Sequence, residues 1–393
     1  MSTQSSFAQE LVRREREPLR LPPGALVVGI LGFLTVIGAA AGLARLLIGL
    51  GGTTALTDST SWGIWIGFDF GMIAFSGTAF TLAAVVHIFH LHQFHAALRP
   101  ALLAGLLGYV AVLLLLVLDL GRPDRFYNFL LYFNLHSPLF EISWCVLLYS
   151  TVLVVEVSPD MLEKLGWPRL RRFMLRIMAP VTVIGVTLSS LHQSTLGTLY
   201  LNMVHRISPL WWTPILPVLF FTSAILAGLS MGIIAYRTTA RVKGAVEDSR
   251  VITGLGIGVV GVGLLYLALR VGALVVNGSL ARLELNDGLT MLLALEVLGG
   301  VALPVVLLAI PALRRNSAIQ WIAPALVLAG VLLNRFTITL WSQTSPIAGA
   351  QYVPSLMEWL TTIGILSAAG LAWYVCVRWL VNFEEGHAQE SAN

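Results

Sequence analysis

Two short stretches hold residues able to move a proton or hydrogen-bond a polar headgroup: "NLHSPLFEISW" at 134–144 and "SSLHQSTLG" at 189–197. In the first, Ser137 is a natural helix cap and Pro138 suits the first helical position. The third position after that cap is Phe140, so Glu141 lies one residue too deep for a capping box, and capping does not account for its charge. A carboxylate just inside an apolar helix is costly, which makes it a candidate for chemistry. In the second stretch, His192 and Gln193 put an imidazole beside an amide. Together they can donate to or accept from a carbonyl or hydroxyl, and the imidazole titrates near neutrality. A quinone headgroup needs such partners, because its reduction couples two electrons to two protons.

Further candidates cluster before Glu141. Asp119 and Arg122 fall in "DLGRPDR", and Tyr132, Asn134 and His136 follow in the same connector. A stop signal at the membrane interface explains Asp119 and Arg122 equally well. By contrast Glu358, in "SLME", fits a capping box with Ser355, and the ordinary explanation leads there.

The elements that must position these residues are membrane helices. Hydrophobic residues make up 57% of the chain and charged ones 11%, with a mean hydropathy of +0.83, values foreign to a soluble domain. Crossing a hydrocarbon core of about 30 Å takes roughly 20 apolar residues. Ten such runs are present, at 24–50, 62–87, 98–119, 138–157, 176–196, 210–236, 251–274, 289–312, 318–342 and 356–381. The expected fold is therefore an all-α polytopic bundle, one or two four-helix bundles with peripheral spans, between polar tails at 1–23 and 382–393. With the N-terminus inside, 17 Lys and Arg residues fall in cytoplasmic segments and 4 in outer loops. Retention of positive charge on the cytoplasmic side then puts both termini in the cytoplasm. The basic balance needs no nucleic acid to explain it.

On that topology Arg45, Asp69, Glu141, His192, Arg270, Glu296, Arg335 and Glu358 fall in the outer half of their spans, where acids and arginines are expected to pair. The inner half offers little beyond His87 and Glu156. Connector 120–137 suits an interfacial helix, and Gly29, Gly32, Gly38 and Gly42 are spaced for close helix packing. "HIFHLHQFH" at 87–95 reads as a solvated helix end, with metal binding the alternative. A di-haem cytochrome b would need paired axial histidines on different helices, for which His136, His192 and His205 are the outer candidates. Cys145 and Cys376 cannot build an iron–sulfur cluster.

The motifs "WGIWIGFDFGMIAFSGTAF", "RPALLAGLLGYVAVLLLLVLDLGRP", "NLHSPLFEISWCVLLY", "LHQSTLGTL", "SPLWW" and "PSLMEWLTTIG", in that order, resemble the NrfD or polysulfide-reductase membrane-subunit family. Within it the likeness is to the HybB-type subunit of periplasmic uptake nickel–iron hydrogenases, and it runs from about residue 60 to 380. The resemblance implies a haem-free subunit of the bacterial inner membrane, inactive alone. Such a subunit exchanges electrons between menaquinone or ubiquinone and a periplasmic ferredoxin-like iron–sulfur subunit, which serves a catalytic subunit such as a hydrogenase or a molybdenum enzyme. It carries the quinone-linked glutamate to Glu141, and "LHQS" carries His192 and Gln193. A transporter, a cytochrome b and a passive anchor remain as alternative readings of the residues.

Overall fold

The computed structural model describes residues 24–284, 286–343 and 352–380. The two polar tails, and residues 344–351 of the last long connector, lie outside them. Among the described residues, ten helices are long and apolar enough to cross a membrane: α1 Ala25–Ile48, α2 Ile64–Ile88, α3 His92–Asp119, α4 Pro138–Lys164, α5 Pro168–Leu201, α6 Leu216–Lys243, α7 Ser249–Val276, α8 Gly288–Ala309, α9 Ile319–Trp341 and α10 Leu356–Trp379. Among the described residues no strand forms, and the isolated bridges Thr57–Thr60 and Ile207–Gln343 merely staple loops. This helical economy follows from the solvent, since a spanning segment in lipid must satisfy its own backbone polar groups.

The helices form two rings of four. In the first, α2 packs on α3, α3 on α4, α4 on α5 and α5 back on α2; in the second, α6 through α9 close in the same way. The rings join where α6 lies against α2, α3 and α5, which makes α6 the most enclosed span. The pair α1 and α10 leans on α3 from outside.

Several helix boundaries differ from the hydropathy reading. The connector expected at 158–175 shrinks to 165–167, because α4 runs on to Lys164 and α5 starts at Pro168. Hydropathy marks the apolar stretch, whereas the hydrogen-bonded backbone continues through polar turns, here braced by Arg171–Glu163 at 3.0 Å. The sixth helix starts at Leu216 rather than 210, because Pro214 and Pro217 withhold backbone donors. Trp211 in the non-helical segment before it is buried in the core.

The glycine expectation holds in part. A methyl group at Gly38 would overlap the Gly364 backbone and lie 2.9 Å from the Leu360 carbonyl, so α1 and α10 touch main chain to main chain. Gly42 also faces neighbours, but Gly29 and Gly32 have nothing within 4 Å of an added Cβ and make no packing seam within this chain. The expected interfacial helix is reduced to single turns at Pro123–Arg125 and Asn128–Leu131, and Phe133 stacks on Trp144 at 5.8 Å.

Candidate functional site

At the start of α4, Ser137 Oγ accepts from the Phe140 amide at 3.4 Å, and the Glu141 amide bonds the Ser137 carbonyl at 3.2 Å. This cap leaves the Glu141 carboxyl without a capping duty, as its register predicts. It reaches across to α5 instead, where the Thr195 hydroxyl donates to Glu141 Oε1 at 2.6 Å. The same hydroxyl lies 2.8 Å from the Leu191 carbonyl. One hydroxyl hydrogen makes a strong, linear bond to only one acceptor at a time. If it turns to Leu191, the Glu141 contact persists only with a protonated carboxyl donating to Thr195, so this pair can hold Glu141 in either state.

One turn back on α5, His192 is fully buried and its Nδ1 lies 2.8 Å from the Tyr109 hydroxyl of α3. The tyrosine ring is itself braced edge-on by Tyr149 at 5.0 Å. When Tyr109 donates to Nδ1, the proton resides on Nε2, and that atom has no protein partner. Gln193, also fully buried, donates through Nε2 to the Ile73 carbonyl at 2.8 Å, and its Oε1 accepts nothing. The site thus presents a donor-capable imidazole edge and an acceptor-capable amide oxygen, each buried and uncommitted, at the end of the bundle that carries Glu141.

The other candidates are not drawn into this arrangement. Asp119 ends α3 and shares its electrostatic surroundings with Arg45 and Glu358, toward the α1–α10 pair. Arg122 pairs with Asp124 through two hydrogen bonds of 2.9 and 2.8 Å, both groups exposed, which holds the Asp124 carboxyl below its usual range. Tyr132 is 72% exposed. Asn134 and His136 are exposed too, with the Asn134 carbonyl oxygen accepting from the His136 amide at 3.3 Å. None of them hydrogen-bonds Glu141, and the connector packs instead through Phe129 and Phe133 on Trp144. His136, being exposed, is also no partner for buried His192.

The expected pairing of buried acid with arginine occurs at Glu296 and Arg270, whereas Arg45 bonds the Leu120 carbonyl and Asp69 Oδ1 has no hydrogen-bond partner. Glu296 of α8 accepts from Trp211 Nε1 and Asn334 Nδ2, both at 2.9 Å, and sits 3.6 Å from Arg270 of α7. Arg335 of α9 donates to Asn334 at 2.7 Å and to Ser223 at 2.8 Å. Both α8 and α9 contain π-helical turns, Leu295–Ala302 and Thr337–Trp341, and Glu296 lies within the first. Glu358 completes its capping box with Ser355 and also accepts from the Ala55 amide at 3.0 Å and Tyr352 at 2.5 Å. Burial raises the Tyr352 phenol above its ordinary range. The histidine tract at 87–95 forms the turn between α2 and α3, with His90 at φ 55°.

Tyr109 and Thr195 escaped the sequence reading. Tyr109 is a lone hydroxyl within an apolar span, and Thr195 follows His192 by three residues, almost one helical turn. That spacing was the available signal for Thr195; nothing in the sequence pairs Tyr109 with α5.

Eight spans in two four-helix rings and two more beside them, with Glu141 and His192 toward one end of the first ring, define a multi-pass membrane protein. The chain belongs to the NrfD, polysulphide reductase family, whose pattern matches residues 52–348. It is 30% identical to the "Probable Ni/Fe-hydrogenase 2 b-type cytochrome subunit" of Escherichia coli over 359 residues, covering 90% of this chain and 91% of that one. It is 27% identical to the "Menaquinone reductase, integral membrane subunit" of Nitratidesulfovibrio vulgaris, covering 85% and 86% respectively. A polysulfide reductase subunit of Wolinella succinogenes is 30% identical over 60% of this chain and 78% of its own length.

Proposed function

We propose that this chain is the quinone-binding, haem-free membrane subunit of a respiratory oxidoreductase complex in the bacterial inner membrane, of hydrogenase type. It exchanges electrons between menaquinone or ubiquinone and an iron–sulfur subunit on the periplasmic side, which connects to a catalytic subunit. The reading is supported by the names of the hydrogenase, menaquinone-reductase and polysulfide-reductase relatives. The observation that carries it is the pairing of Glu141 with Thr195 one turn from His192, whose buried Nε2 is uncommitted. Both termini then face the cytoplasm.

Bound quinone supplies the two-electron, two-proton chemistry. The chain's own residues orient it and handle a proton. His192, held in orientation by Tyr109, offers Nε2–H to a headgroup oxygen, and Gln193 Oε1 offers an acceptor. Glu141 takes or gives the proton, with Thr195 turning to match its state. Apolar residues of the bundle hold the isoprenoid tail. Arg122, Tyr132, Asn134 and His136, exposed on the connector beside the site, suit a docking surface for the iron–sulfur partner better than ligand contact, and Asp119 serves the neighbouring ionic cluster.

The substitution Glu141→Gln tests this. The expected outcome is an assembled complex that still reduces a soluble dye and has lost quinone-dependent turnover; normal quinone activity overturns the assignment. A cytochrome reading is favoured by the b-type name of one relative and by the open Nε2 of His192. An absorption spectrum of the purified complex, resolved by subunit, decides it, since a Soret band from this chain replaces the haem-free reading.

A further inference from the structure

A cavity lies at the opposite end of the first ring from Glu141. It measures about 200 Å³ and is lined by Glu156, Thr182, His87 and His95 among apolar side chains that include Leu102 and Met178. A cavity of roughly 150 Å³ suffices to take benzene, so a substituted six-membered ring fits this one.

Its chemistry repeats that of the other end. At the Glu141 end Thr195 of α5 donates to Glu141 of α4; at this end Thr182 of α5 donates to Glu156 of α4 at 3.0 Å. The two Thr–Glu ties lie about 20 Å apart along one antiparallel helix pair, from a rise of 1.5 Å per residue. Glu156 is only 9% exposed, and an ionisable group buried within a span is a functional candidate by default. Imidazoles stand near here as well, from His87 and His95. An independent mark is the π-helical turn Ala84–Ile88, where α2 departs from regular geometry at His87, a distortion frequent at functional sites.

The cavity is not sealed: Leu175, on its wall, is 47% exposed. Arg99 and Asp160, 3.7 Å apart, also line it. Two carboxyl groups against one guanidinium disfavour an acidic phosphate headgroup. A neutral headgroup that both donates and accepts, carried on an apolar tail, satisfies the walls and the polar groups together.

We infer that this cavity is a second binding site for a quinone-class headgroup, at the end of α4 and α5 remote from Glu141. The inference rests on the proposed quinone function for the choice of ligand. No redox step is assigned to it.

The test is photolabelling of the intact complex in lipid nanodiscs with an azido-naphthoquinone, followed by peptide mapping. Label is expected in two separate regions, around 141 and 195 and around 87–103 and 156–182, both competed by excess unlabelled naphthoquinone. Leu102→Trp, which fills the cavity, is expected to lower the ratio of remote to Glu141-end label at least fivefold. Met178→Phe narrows the space from α5 and serves if the first variant fails to assemble. Label confined to the Glu141 end overturns the second site and leaves the proposed function standing. Label confined to the remote end supports the second site and overturns the assignment of Glu141. Competition by an anionic phospholipid but not by naphthoquinone overturns the ligand class.

Discussion

Thr195→Val separates the Thr195–Glu141 contact from the fold. Valine matches threonine in shape, so no cavity opens at a residue that is only 4% exposed, and the single loss is the hydroxyl 2.6 Å from Glu141. A hydrogen bond to a charged group contributes about 1.5–3 kcal/mol, and partial exposure of Glu141 scales the expectation to about 1 kcal/mol. At 1.4 kcal/mol per tenfold, that corresponds to about a fivefold fall in quinone-dependent turnover, with about 100-fold as the ceiling for a fully buried contact. Because Glu141 faces outward in the free chain, the variant leaves no buried charge unpaired, and thermal stability is expected to stay at the parent value. The assay compares turnover of the intact complex with quinone and with a soluble dye, on the parent, Thr195→Val and Thr195→Ser. Serine keeps the hydroxyl and is expected to retain most of the quinone activity. Equal activity of the valine variant and the parent, or equal damage in both variants, refutes the role of this contact.

Other consequences follow from the same geometry. Tyr109→Phe leaves buried His192 Nδ1 without its partner at a cost of about 1–3 kcal/mol; the complex is expected to assemble with its affinity for a quinone analogue lowered roughly tenfold, measured by fluorescence titration. Glu296→Gln leaves Arg270 and Arg335 with no carboxylate between them, and breaking such a buried pair costs about 3–5 kcal/mol. A marked loss of thermal stability in detergent checks it, and an unchanged melting curve contradicts the charge arrangement described. Gly38→Leu is expected to destabilise the α1–α10 contact by about 1–3 kcal/mol through overpacking, whereas Gly32→Leu, which meets nothing, leaves the denaturation profile unchanged.

Much of this molecule is legible in one dimension. The ten spans follow from apolar runs alone, because lipid admits few other ways to satisfy a backbone. The caps at Ser137 and Ser355 are readable because capping depends on residues three apart, and both form as their spacing predicts. That same local rule singles out Glu141, one residue beyond the reach of its cap. Local rules fail where a partner comes from another helix. Arg122, Tyr132, Asn134 and His136 are near Glu141 in the chain, yet none of them hydrogen-bonds it, while Thr195, 54 residues away, becomes its hydrogen-bond partner.

The sequence by itself therefore determined the class of the protein, its helices and the residues worth suspecting, since hydropathy and capping are properties of neighbours along the backbone. Only the tertiary structure decided which suspects come into contact and with what. Helix rotation aims His192 and Gln193 into the ring and Glu141 to its rim, and it ties α4 to α5 by a Thr–Glu pair at each end. That rotation is set by packing across ten helices, a sum of contacts that no local window of sequence contains.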